Sequence, residues 1–233
     1  MAELLYEGKA KQVYKTEKED EYLIHYKDDA TAGNGVKHDK FEGKGVLNNT
    51  ISCIIFDMLE EAGIKTHMIK KLNERDILVK KVDIFPLEVI VRNITTGSFC
   101  RRLGAPEGIV LDEPIFEMSY KNDEYGDPLI NDDHAVALKL ATREELAYIK
   151  ETTLKINELL KEFFLSMNLK LVDFKIEFGK TADGTILLAD EISPDSCRLW
   201  DVDTNQKYDK DVFRQDIGDL IETYKAVSSK NAK

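Results

Sequence analysis

Late in the chain, a run of residues alternates strictly between apolar and charged side chains. Four apolar residues and the three charged residues between them make up the run: Val172, Asp173, Phe174, Lys175, Ile176, Glu177 and Phe178. Because successive side chains of a β-strand point to opposite faces, the pattern predicts a strand with one face in the core. The other face then carries an acid, a base and an acid in a row, which makes it the first place to search for chemistry.

The segment after this strand predicts a hairpin that brings two carboxylates together. Asp183-Gly184 is a strong signal for a two-residue turn, and in that register Glu177 lies directly opposite Asp190. Like charges that face each other across two strands are destabilising unless something compensates for them. Mg²⁺ is commonly held by one or two carboxylates plus substrate phosphates, and Lys175 is close by to bind a phosphate. Glu177 and Asp190 are therefore candidate metal ligands, and the alternative is a solvated hairpin face.

Two further segments carry groups that bind anions or other polar ligands. The loop after the predicted metal strand contains Ser193, Asp195 and Arg198, and an arginine can bind a phosphate or carboxylate with two parallel hydrogen bonds. The stretch from Arg92 to Ser98 runs from a strand into a short helix, whose free amides favour an anion. An ordinary loop and an ordinary helix cap are the structural alternatives.

Basic residues in the first third of the chain predict a turn that covers the phosphates of a nucleotide. The turn at residues 8–11 reads Gly-Lys-Ala-Lys, in which the lysines supply point charges and the glycine lets a ligand approach the backbone. An ordinary hairpin is the alternative, because the turn lacks both the P-loop spacing and a full Gly-x-Gly-x-x-Gly. Lys80 and Lys81 point to opposite faces of one predicted strand, so one of them can point into a cleft.

The order of the predicted elements favours an α+β fold. Antiparallel strands come first, followed by an amphipathic helix that Gly63 can end in a left-handed cap. Thr142 and Glu145 form a capping box at the start of a long helix, and a second long helix is predicted from Asp209, with Ile217 in its buried stripe. Strands and helices follow each other without a regular βαβ alternation, which favours α+β over a doubly wound sheet.

A hinge is predicted at residues 83–86. Proline cannot continue a central strand and biases the conformation of the residue before it, so Pro86 is the strongest boundary signal. We therefore expect a β-rich lobe in residues 1–85, which would cover a nucleotide, and a larger α+β lobe in residues 86–233 with the metal and substrate sites.

Composition and motifs exclude several classes of function. The 33 Lys and Arg residues against 44 Asp and Glu residues give a net charge of −11, which repels a phosphodiester backbone, so no nucleic acid partner is expected. No apolar run approaches the ~20 residues that cross a bilayer, and there is no leader pattern, so we expect no membrane segment and a place in the cytoplasm. The three cysteines are widely spaced, which argues against a disulfide framework or a zinc ribbon. Covalent catalysis has no candidate nucleophile.

Six segments, in chain order, together resemble the SAICAR synthetase family. They are residues 8–11, 91–93 with 97–98, 171–179, 190–195, 198–201 and 209–215. The resemblance implies an ATP- and Mg²⁺-dependent ligase of purine biosynthesis, which condenses carboxyaminoimidazole ribonucleotide (CAIR) with L-aspartate and releases ADP and phosphate. It also implies that a small antiparallel β lobe and a larger α+β lobe, reminiscent of ATP-grasp enzymes and protein kinases, hold ATP between them in a homodimer.

The resemblance also implies a role for each matched side chain. Nucleotide and cofactor contacts are implied for Lys9, Ala10, Lys11, Lys81, Val82, Lys121, Glu177 and Asp190, of which the last two would hold Mg²⁺. Substrate contacts are implied for Arg92, Ser98, Asp173, Lys175, Ser193, Asp195 and Arg198. Lys175 and Asp195 are the implied catalytic residues, near the substrate carboxylate or γ-phosphate and near the aminoimidazole, respectively.

The implied reaction proceeds through an acyl phosphate, which the aspartate amine then displaces. Positioning and charge neutralisation catalyse phosphoryl transfer, so this path needs no protein nucleophile. Two alternatives use the same residues: a kinase-like phosphotransferase that passes phosphate to a hydroxyl group, and a non-catalytic purine-nucleotide sensor. The complete set of Lys175, Glu177 and Asp190 argues against the sensor.

Overall fold

The computed structural model describes residues 3–32 and 37–230. The strands in this part of the chain are β1 (Leu4–Glu7), β2 (Lys11–Lys15), β3 (Glu21–Tyr26), β4 (Asp29–Ala32), β5 (Lys37–Lys40), β6 (Met68–Lys71), β7 (Asp76–Lys80), β8 (Asp83–Ile84), β9 (Leu87–Ile94), β10 (Val110–Tyr120), β11 (Leu129–Ile130), β12 (Leu169–Lys180), β13 (Ile186–Ala189) and β14 (Cys197–Asp201). The helices are α1 (Lys44–Glu61), α2 (Gly97–Leu103), α3 (Asp132–Ala137), α4 (Arg143–Leu165), α5 (Asp211–Arg214) and α6 (Leu220–Lys230), with a 3-10 turn at Asp123–Tyr125.

The first sheet is antiparallel and has the strand order β1-β2-β3-β7-β6. The Gly8 amide donates a hydrogen bond of 2.8 Å to the Lys11 carbonyl oxygen, which closes the predicted β1–β2 turn. Helix α1 packs against β3 and β6 and ends before Gly63, whose φ of 84° is the predicted left-handed conformation. A separate ribbon of β4 and β5 completes this part of the molecule.

The second sheet is built around β12. This strand pairs with β9 and β14, and further along its length with β13 and β8. Helix α4 packs against β12 and β9. The predicted capping box at the start of α4 is confirmed, because the Thr142 hydroxyl accepts from the Glu145 amide and the Glu145 carboxylate accepts from the Thr142 amide.

Val172 is buried, as the alternation along β12 predicts, but it packs apart from the other apolar residues of the row. The pairing of β12 with β14 shifts register between Leu171 and Asp173, and such a bulge changes which face the next side chain points to. Val172 packs in a small cluster with two residues outside the main core, Ile94 and Trp200. The other three apolar residues of the predicted row, at positions 174, 176 and 178, lie in the main core as expected.

The predicted register of the hairpin after β12 is wrong. The Gly184 amide donates to the Thr181 carbonyl oxygen at 2.9 Å, and Gly184 has a φ of 87°. This geometry is typical of a three-residue loop, in which a type I turn is followed by a left-handed residue. Pairing therefore shifts by one residue, and Glu177 lies opposite Ala189 instead of Asp190.

The C-terminal segment forms two helices instead of the single helix predicted from Asp209. After α5, Asp216 adopts a left-handed φ of 54°, which a continuous right-handed helix does not contain. Ile217 lies in this connection and is 56% exposed, so its predicted place in a buried stripe is wrong. Leu220 and Tyr224 of α6 are buried as predicted.

One apolar core extends through both sheets. It joins Ile77 of the first sheet and Phe56 of α1 to Phe178 of the second sheet and Ile156 of α4. The strands of the first sheet precede residue 81, and those of the second follow residue 82. The division into lobes of residues 1–85 and 86–233 stays a prediction. In the part of the chain that the structure describes, every helix is too short or too polar to cross a membrane.

Candidate active site

Two adjoining cavities lie beside β12. The first, of about 630 Å³, is bordered by the 8–11 turn, the first sheet and the charged face of β12. The second, of about 840 Å³, is bordered by the start of α2, by Arg198 and by α5. Lys175 and Glu88 line both, as do Lys9, Thr31 and Asp127, so the two cavities meet along a border that includes the Lys175–Glu88 pair.

Glu177 and Asp190 both line the first cavity despite the shifted register. Glu177 projects from β12, whereas Asp190 follows β13 in a left-handed conformation with a φ of 63°. Burial and the charge of Asp190 raise the pKa of Glu177. Burial would raise the pKa of Asp190, but the neighbouring Lys11 ammonium holds it below its usual value. The two carboxylates therefore interact, as the sequence predicts, although they are not opposite each other.

The donor set of this pair suits a cation that binds together with a nucleotide. Among residues 3–32 and 37–230, no group of three or more His, Cys, Asp or Glu side chains is arranged to hold a metal ion. Glu177 and Asp190 offer hard carboxylate oxygens, and Mg²⁺ usually keeps several waters and takes its remaining ligands from substrate phosphates. The two residues fit Mg²⁺ on this ground.

Three lysines of the predicted site reach these carboxylates and their neighbours. Lys11 donates a hydrogen bond to Asp190, and the Lys121 ammonium lies 2.8 and 2.7 Å from the two carboxylate oxygens of Glu177. Lys175 pairs with Glu88. Burial would lower the pKa of Lys11, but the charges of Asp190 and its neighbour raise it, so the ammonium stays charged. Cations thus line the part of the first cavity that faces these carboxylates.

Four of the predicted substrate residues converge beside the second cavity. The Asp173 carboxylate oxygen Oδ2 accepts from Arg92 Nη1 at 3.0 Å and from Arg198 Nη1 at 2.8 Å. Arg92 Nη2 also donates to the Ser98 hydroxyl at 3.0 Å. Asp173 is 4% exposed, so it holds the two arginines and presents little of its own surface to a ligand.

Asp195 and Ser193 face the protein interior. Lys44 Nζ donates to Asp195 Oδ2 at 2.6 Å, and the Tyr224 hydroxyl donates to Oδ1. Burial would raise the pKa of Asp195, but the charges of Lys44 and Lys210 hold it well below its usual value. The Ser193 hydroxyl is fully buried and accepts from the Asp195 amide at 3.1 Å. Asp195 still borders the first cavity, whereas Ser193 does not line either one.

The remaining predicted nucleotide contacts surround the first cavity. Lys9 and Ala10 line it from the turn, and Val82 lines it from the segment before β8. Lys80 lines the cavity, whereas the Lys81 ammonium lies 5.7 Å from the ring centre of Tyr22. The prediction that both lysines lie on one strand is wrong, because β7 ends at Lys80; Lys80 borders the cavity, whereas Lys81 lies beyond the strand and does not line it.

Comparisons with known proteins identify the family. The SAICAR synthetase family model matches residues 4–231. The chain belongs to the SAICAR synthetase family. It is 68% identical to the phosphoribosylaminoimidazole-succinocarboxamide synthase of Finegoldia magna, over 97% of each chain. It is 61% identical to the protein of the same name from Caldanaerobacter subterraneus, over 95% of this chain and 94% of that protein.

Solved structures of SAICAR synthetases have the same fold. One, described as a SAICAR synthetase (Type-2) in complex with ADP, has a TM-score of 0.94 and 50% identity over 97% of this chain and 96% of its own. The enzyme from Ehrlichia chaffeensis has a TM-score of 0.96 and 45% identity, over 99% of this chain and 98% of its own. The predicted α+β fold of this family is thereby confirmed.

The structure of this SAICAR synthetase family member also reveals charged residues that sequence reasoning missed. Arg101, Arg214 and Glu88 line the second cavity, and Arg214 donates to Asp211 at 2.7 Å. The segment around Arg214 was part of the resemblance, so its basic residue offered a signal. Glu88 offered none, because its role depends on the pairing of β9 with β12, which brings it to Lys175.

Proposed function

We propose that this chain condenses CAIR with L-aspartate at the expense of ATP and releases SAICAR, ADP and phosphate. The observation that carries the proposal is the meeting of the two cavities at Lys175. A nucleotide in the first cavity and a ribonucleotide in the second would present a γ-phosphate and a carboxylate to the same ammonium group. The family to which the chain belongs supports the choice of substrates.

The first cavity is proposed to hold ATP. The 8–11 turn, with Lys9, Ala10 and Lys11, would cover the phosphates, and the backbone of residues 81–83 with Val82 would contact the adenine. The ADP in a related SAICAR synthetase supports nucleotide use by the family. Lys121 would move from its contact with Glu177 to the nucleotide, because an anionic phosphate competes for the same ammonium group.

Glu177 and Asp190 are proposed to hold Mg²⁺ with the nucleotide phosphates. Bound there, the ion would neutralise charge that develops on the transferred phosphoryl group. Lys11 and Lys121, which neutralise these carboxylates in the structure, would then be free to bind phosphate oxygens directly.

The second cavity is proposed to hold CAIR. Arg198 and Ser98, with the newly found Arg101 and Arg214, would bind the ribonucleotide phosphate, because guanidinium groups match phosphate oxygens with paired hydrogen bonds. Asp173 holds Arg92 and Arg198 in place from behind. This arrangement concentrates positive charge locally on a chain whose net charge is −11.

The chemistry then needs positioning more than a protein nucleophile. The CAIR carboxylate would attack the γ-phosphorus of ATP, with ADP as the leaving group, to form an acyl phosphate. The aspartate amine would attack the acyl carbon, phosphate would leave, and the amine would lose a proton. Lys175, at the junction, would neutralise both the entering carboxylate and the transferred phosphoryl group. The cleft would also shield the acyl phosphate from water.

We further propose that the chain works as a homodimer in the cytoplasm. Leu103, Ile109 and Val110 are exposed within one short stretch of the chain, at the end of α2, in the following loop and at the start of β10, and exposed apolar patches mark interaction surfaces. The three cysteines are free thiols, which suits a reducing compartment. Sedimentation equilibrium of the purified chain tests the dimer, and a monomer at micromolar concentration contradicts it.

An omission series tests the reaction. Phosphate release from ATP and Mg²⁺ is measured with both CAIR and L-aspartate and then with each left out, and the succinocarboxamide is quantified. Release that requires both substrates and matches the product supports the ligase. A phosphorylated product without aspartate supports the kinase-like alternative, and binding without turnover supports the sensor.

A matched pair of variants tests the metal ligands in the same assay. Asp190→Asn keeps the shape of the side chain but removes a charge, so turnover should be abolished while the fold remains. Glu151→Gln removes an exposed carboxylate of α4 that pairs with Lys155, and its activity should equal that of the wild type. Near-normal turnover of Asp190→Asn at saturating Mg²⁺ would contradict the assignment.

A further inference from the structure

The loop of residues 191–196 connects the two ends of the proposed site. Asp190 precedes it and borders the first cavity, while Arg198 follows it and borders the second. The side chains of Glu191, Ser193 and Asp195 are buried. Glu191, Asp195 and Ser196 of this loop also line the first cavity, so its position shapes the wall between the candidate metal ligand and the candidate ribonucleotide ligand.

Two helices hold this loop from its far side. Lys44 of α1 donates to Asp195 Oδ2 at 2.6 Å, and Tyr224 of α6 donates to Asp195 Oδ1. About two turns further along α1, the Ser52 hydroxyl donates to the Ile192 carbonyl oxygen at 3.0 Å. The loop is thus fixed at one backbone and one side-chain position by elements that lie outside both cavities.

The stability of the fold does not by itself explain why the two groups that bind Asp195 are buried. The side chains of Lys44 and Tyr224 are both fully buried. Well-packed apolar residues often stabilise a protein as much as a buried ion pair or more, because burying charges is costly. An ion pair does, however, define one position of a carboxylate, which apolar packing specifies less sharply. The pair is therefore better explained by the position that it gives the loop.

Lys44 and Tyr224 do not line either cavity. Both donate hydrogen bonds to Asp195, which lines the first cavity, so Asp195 is the contact through which they can act on the reaction. The polar face of α1 that includes Lys44 continues at Asn48 and Ser52, four and eight residues further on, where side chains share one face of a helix. All three are buried.

We propose that Lys44 and Tyr224 are positioning residues of the ligase reaction. Through Asp195 they hold the 191–196 loop in place as a wall of the first cavity, next to Asp190 and ahead of Arg198. The proposal rests on the function proposed above. It makes the C-terminal helix α6, which lies outside the cavities, a part of the catalytic apparatus.

Tyr224→Phe tests the proposal, because it removes one hydroxyl group and keeps the ring. We expect kcat to fall on the order of tenfold to a hundredfold, as small misplacements of reacting groups do. The Mg²⁺ concentration for half-maximal activity and the KM for CAIR should rise together, because the loop lies between Asp190, the candidate metal ligand, and Arg198, the candidate ribonucleotide ligand. Kinetics are measured at 25 °C on protein whose circular dichroism shows that it is folded.

Thr153→Val is the matched control for the loss of a buried hydroxyl group. The Thr153 hydroxyl donates to the Ile149 carbonyl oxygen at 2.7 Å within α4 and is fully buried. This variant should lose stability but keep the kcat, the KM values and the Mg²⁺ dependence of the wild type. A Tyr224→Phe enzyme that loses only stability in the same way overturns the proposal.

A double-mutant cycle shows whether Tyr224 acts through Asp195. In an Asp195→Asn background, the further change Tyr224→Phe should have little additional effect on kcat, because the hydrogen bond is already altered. Independent effects that multiply contradict the proposed route. The failure of the proposed function is a separate outcome, since it appears as wild-type protein without turnover in the omission series.

Discussion

Gly97 combines a backbone conformation and a neighbour that together exclude a side chain. Its φ is 57°, and a Cβ atom built on it would lie 2.8 Å from Arg198 Nη2. The guanidinium group therefore rests on the glycine backbone at the edge of the second cavity. This close approach is the physical reason for a glycine between Thr96 and Ser98.

We predict that Gly97→Ala displaces the Arg198 guanidinium group and raises the KM for CAIR. Loss of a hydrogen bond to a charged group weakens binding by ~1.5–3 kcal/mol, which corresponds to an increase of about tenfold or more. Steady-state kinetics with varied CAIR measure the change. Gly104→Ala is the control, because Gly104 has a φ of 66° but no atom within 4 Å of its Cβ position. Equal KM values for the two variants would show that backbone strain, not the arginine, is responsible.

Gly179 shapes the part of the first cavity where the adenine of ATP is proposed to bind. A Cβ atom on Gly179 would lie 2.5 Å from Val82 Cγ2, and Val82 lines the first cavity. We predict that Gly179→Ala pushes Val82 into the space of the adenine and raises the KM for ATP while the KM for CAIR changes little. A Cβ atom on Gly179 would also lie 2.7 Å from Val82 Cβ, so the double variant Gly179→Ala/Val82→Gly, which removes both crowded atoms of residue 82, should recover much of the ATP affinity. No recovery would place the effect elsewhere.

At the scale of elements, α1 begins without a side-chain cap of its own. Its N-cap residue Gly43 makes no such hydrogen bond. The carboxylate of Asp28 supplies the cap instead, because Oδ1 accepts from the Gly45 amide at 2.9 Å. Arg75 binds both oxygens of Asp28, at 2.8 and 2.9 Å. A carboxylate at a helix N-terminus is stabilising, so this contact secures the helix that carries Lys44.

We predict that Asp28→Asn lowers the free energy of unfolding at pH 7 by about 2 kcal/mol. Burial would raise the pKa of Asp28, but the hydrogen bonds from Arg75 and Gly45 hold it below its usual value of 3.8. As the pH falls below 4, the unfolded wild type binds a proton before the folded form does, so the wild type loses this stability. The difference between the two proteins should shrink toward pH 3.5.

Urea unfolding between pH 7 and pH 3.5 measures this difference. Asp112→Asn, which changes an exposed carboxylate of β10, is the control and should stay within about 0.5 kcal/mol of the wild type. A difference for Asp28→Asn that is constant over this pH range would contradict the role of the ionised carboxylate.

At the scale of the whole molecule, the first cavity lies between the two sheets, which share one apolar core. A nucleotide bound there would contact the 8–11 turn of the first sheet and the charged face of β12 at once. A ligand that binds only the folded chain adds its binding free energy to stability. Nucleotide binding should therefore stabilise the chain as one unit.

We predict that Mg·ADP at a hundred times its Kd adds ~2.7 kcal/mol and raises the Tm by roughly 5–10 °C. Differential scanning calorimetry with and without the ligand, and with EDTA to remove the metal, measures the shift. Glu177→Gln should unfold near the wild-type temperature in the absence of ligand but show a much smaller shift. An equal shift in both proteins would remove Glu177 from the metal site.

Much of the site follows from short-range patterns in the sequence. The alternation at residues 173–178 predicts which side chains face the cleft, because side chains of a strand alternate whatever the strand pairs with. The Thr142 capping box is also local, since it involves hydrogen bonds over three residues. The joined run from residue 171 to residue 201 carries the family resemblance, and with it Lys175, Glu177, Asp190 and Arg198.

Tertiary structure alone decided the contacts between residues that are distant in the chain. A single loop residue changes the hairpin register, so Glu177 faces Ala189, and a bulge turns Val172 away from the main core. Glu88 reaches Lys175, and Lys44 and Tyr224 reach Asp195, only because strands and helices pack in one particular way. Local sterics and periodicity determine which elements form and which side chains they present. Which of those side chains meet depends on burial in a shared core, where many weak long-range contacts act together.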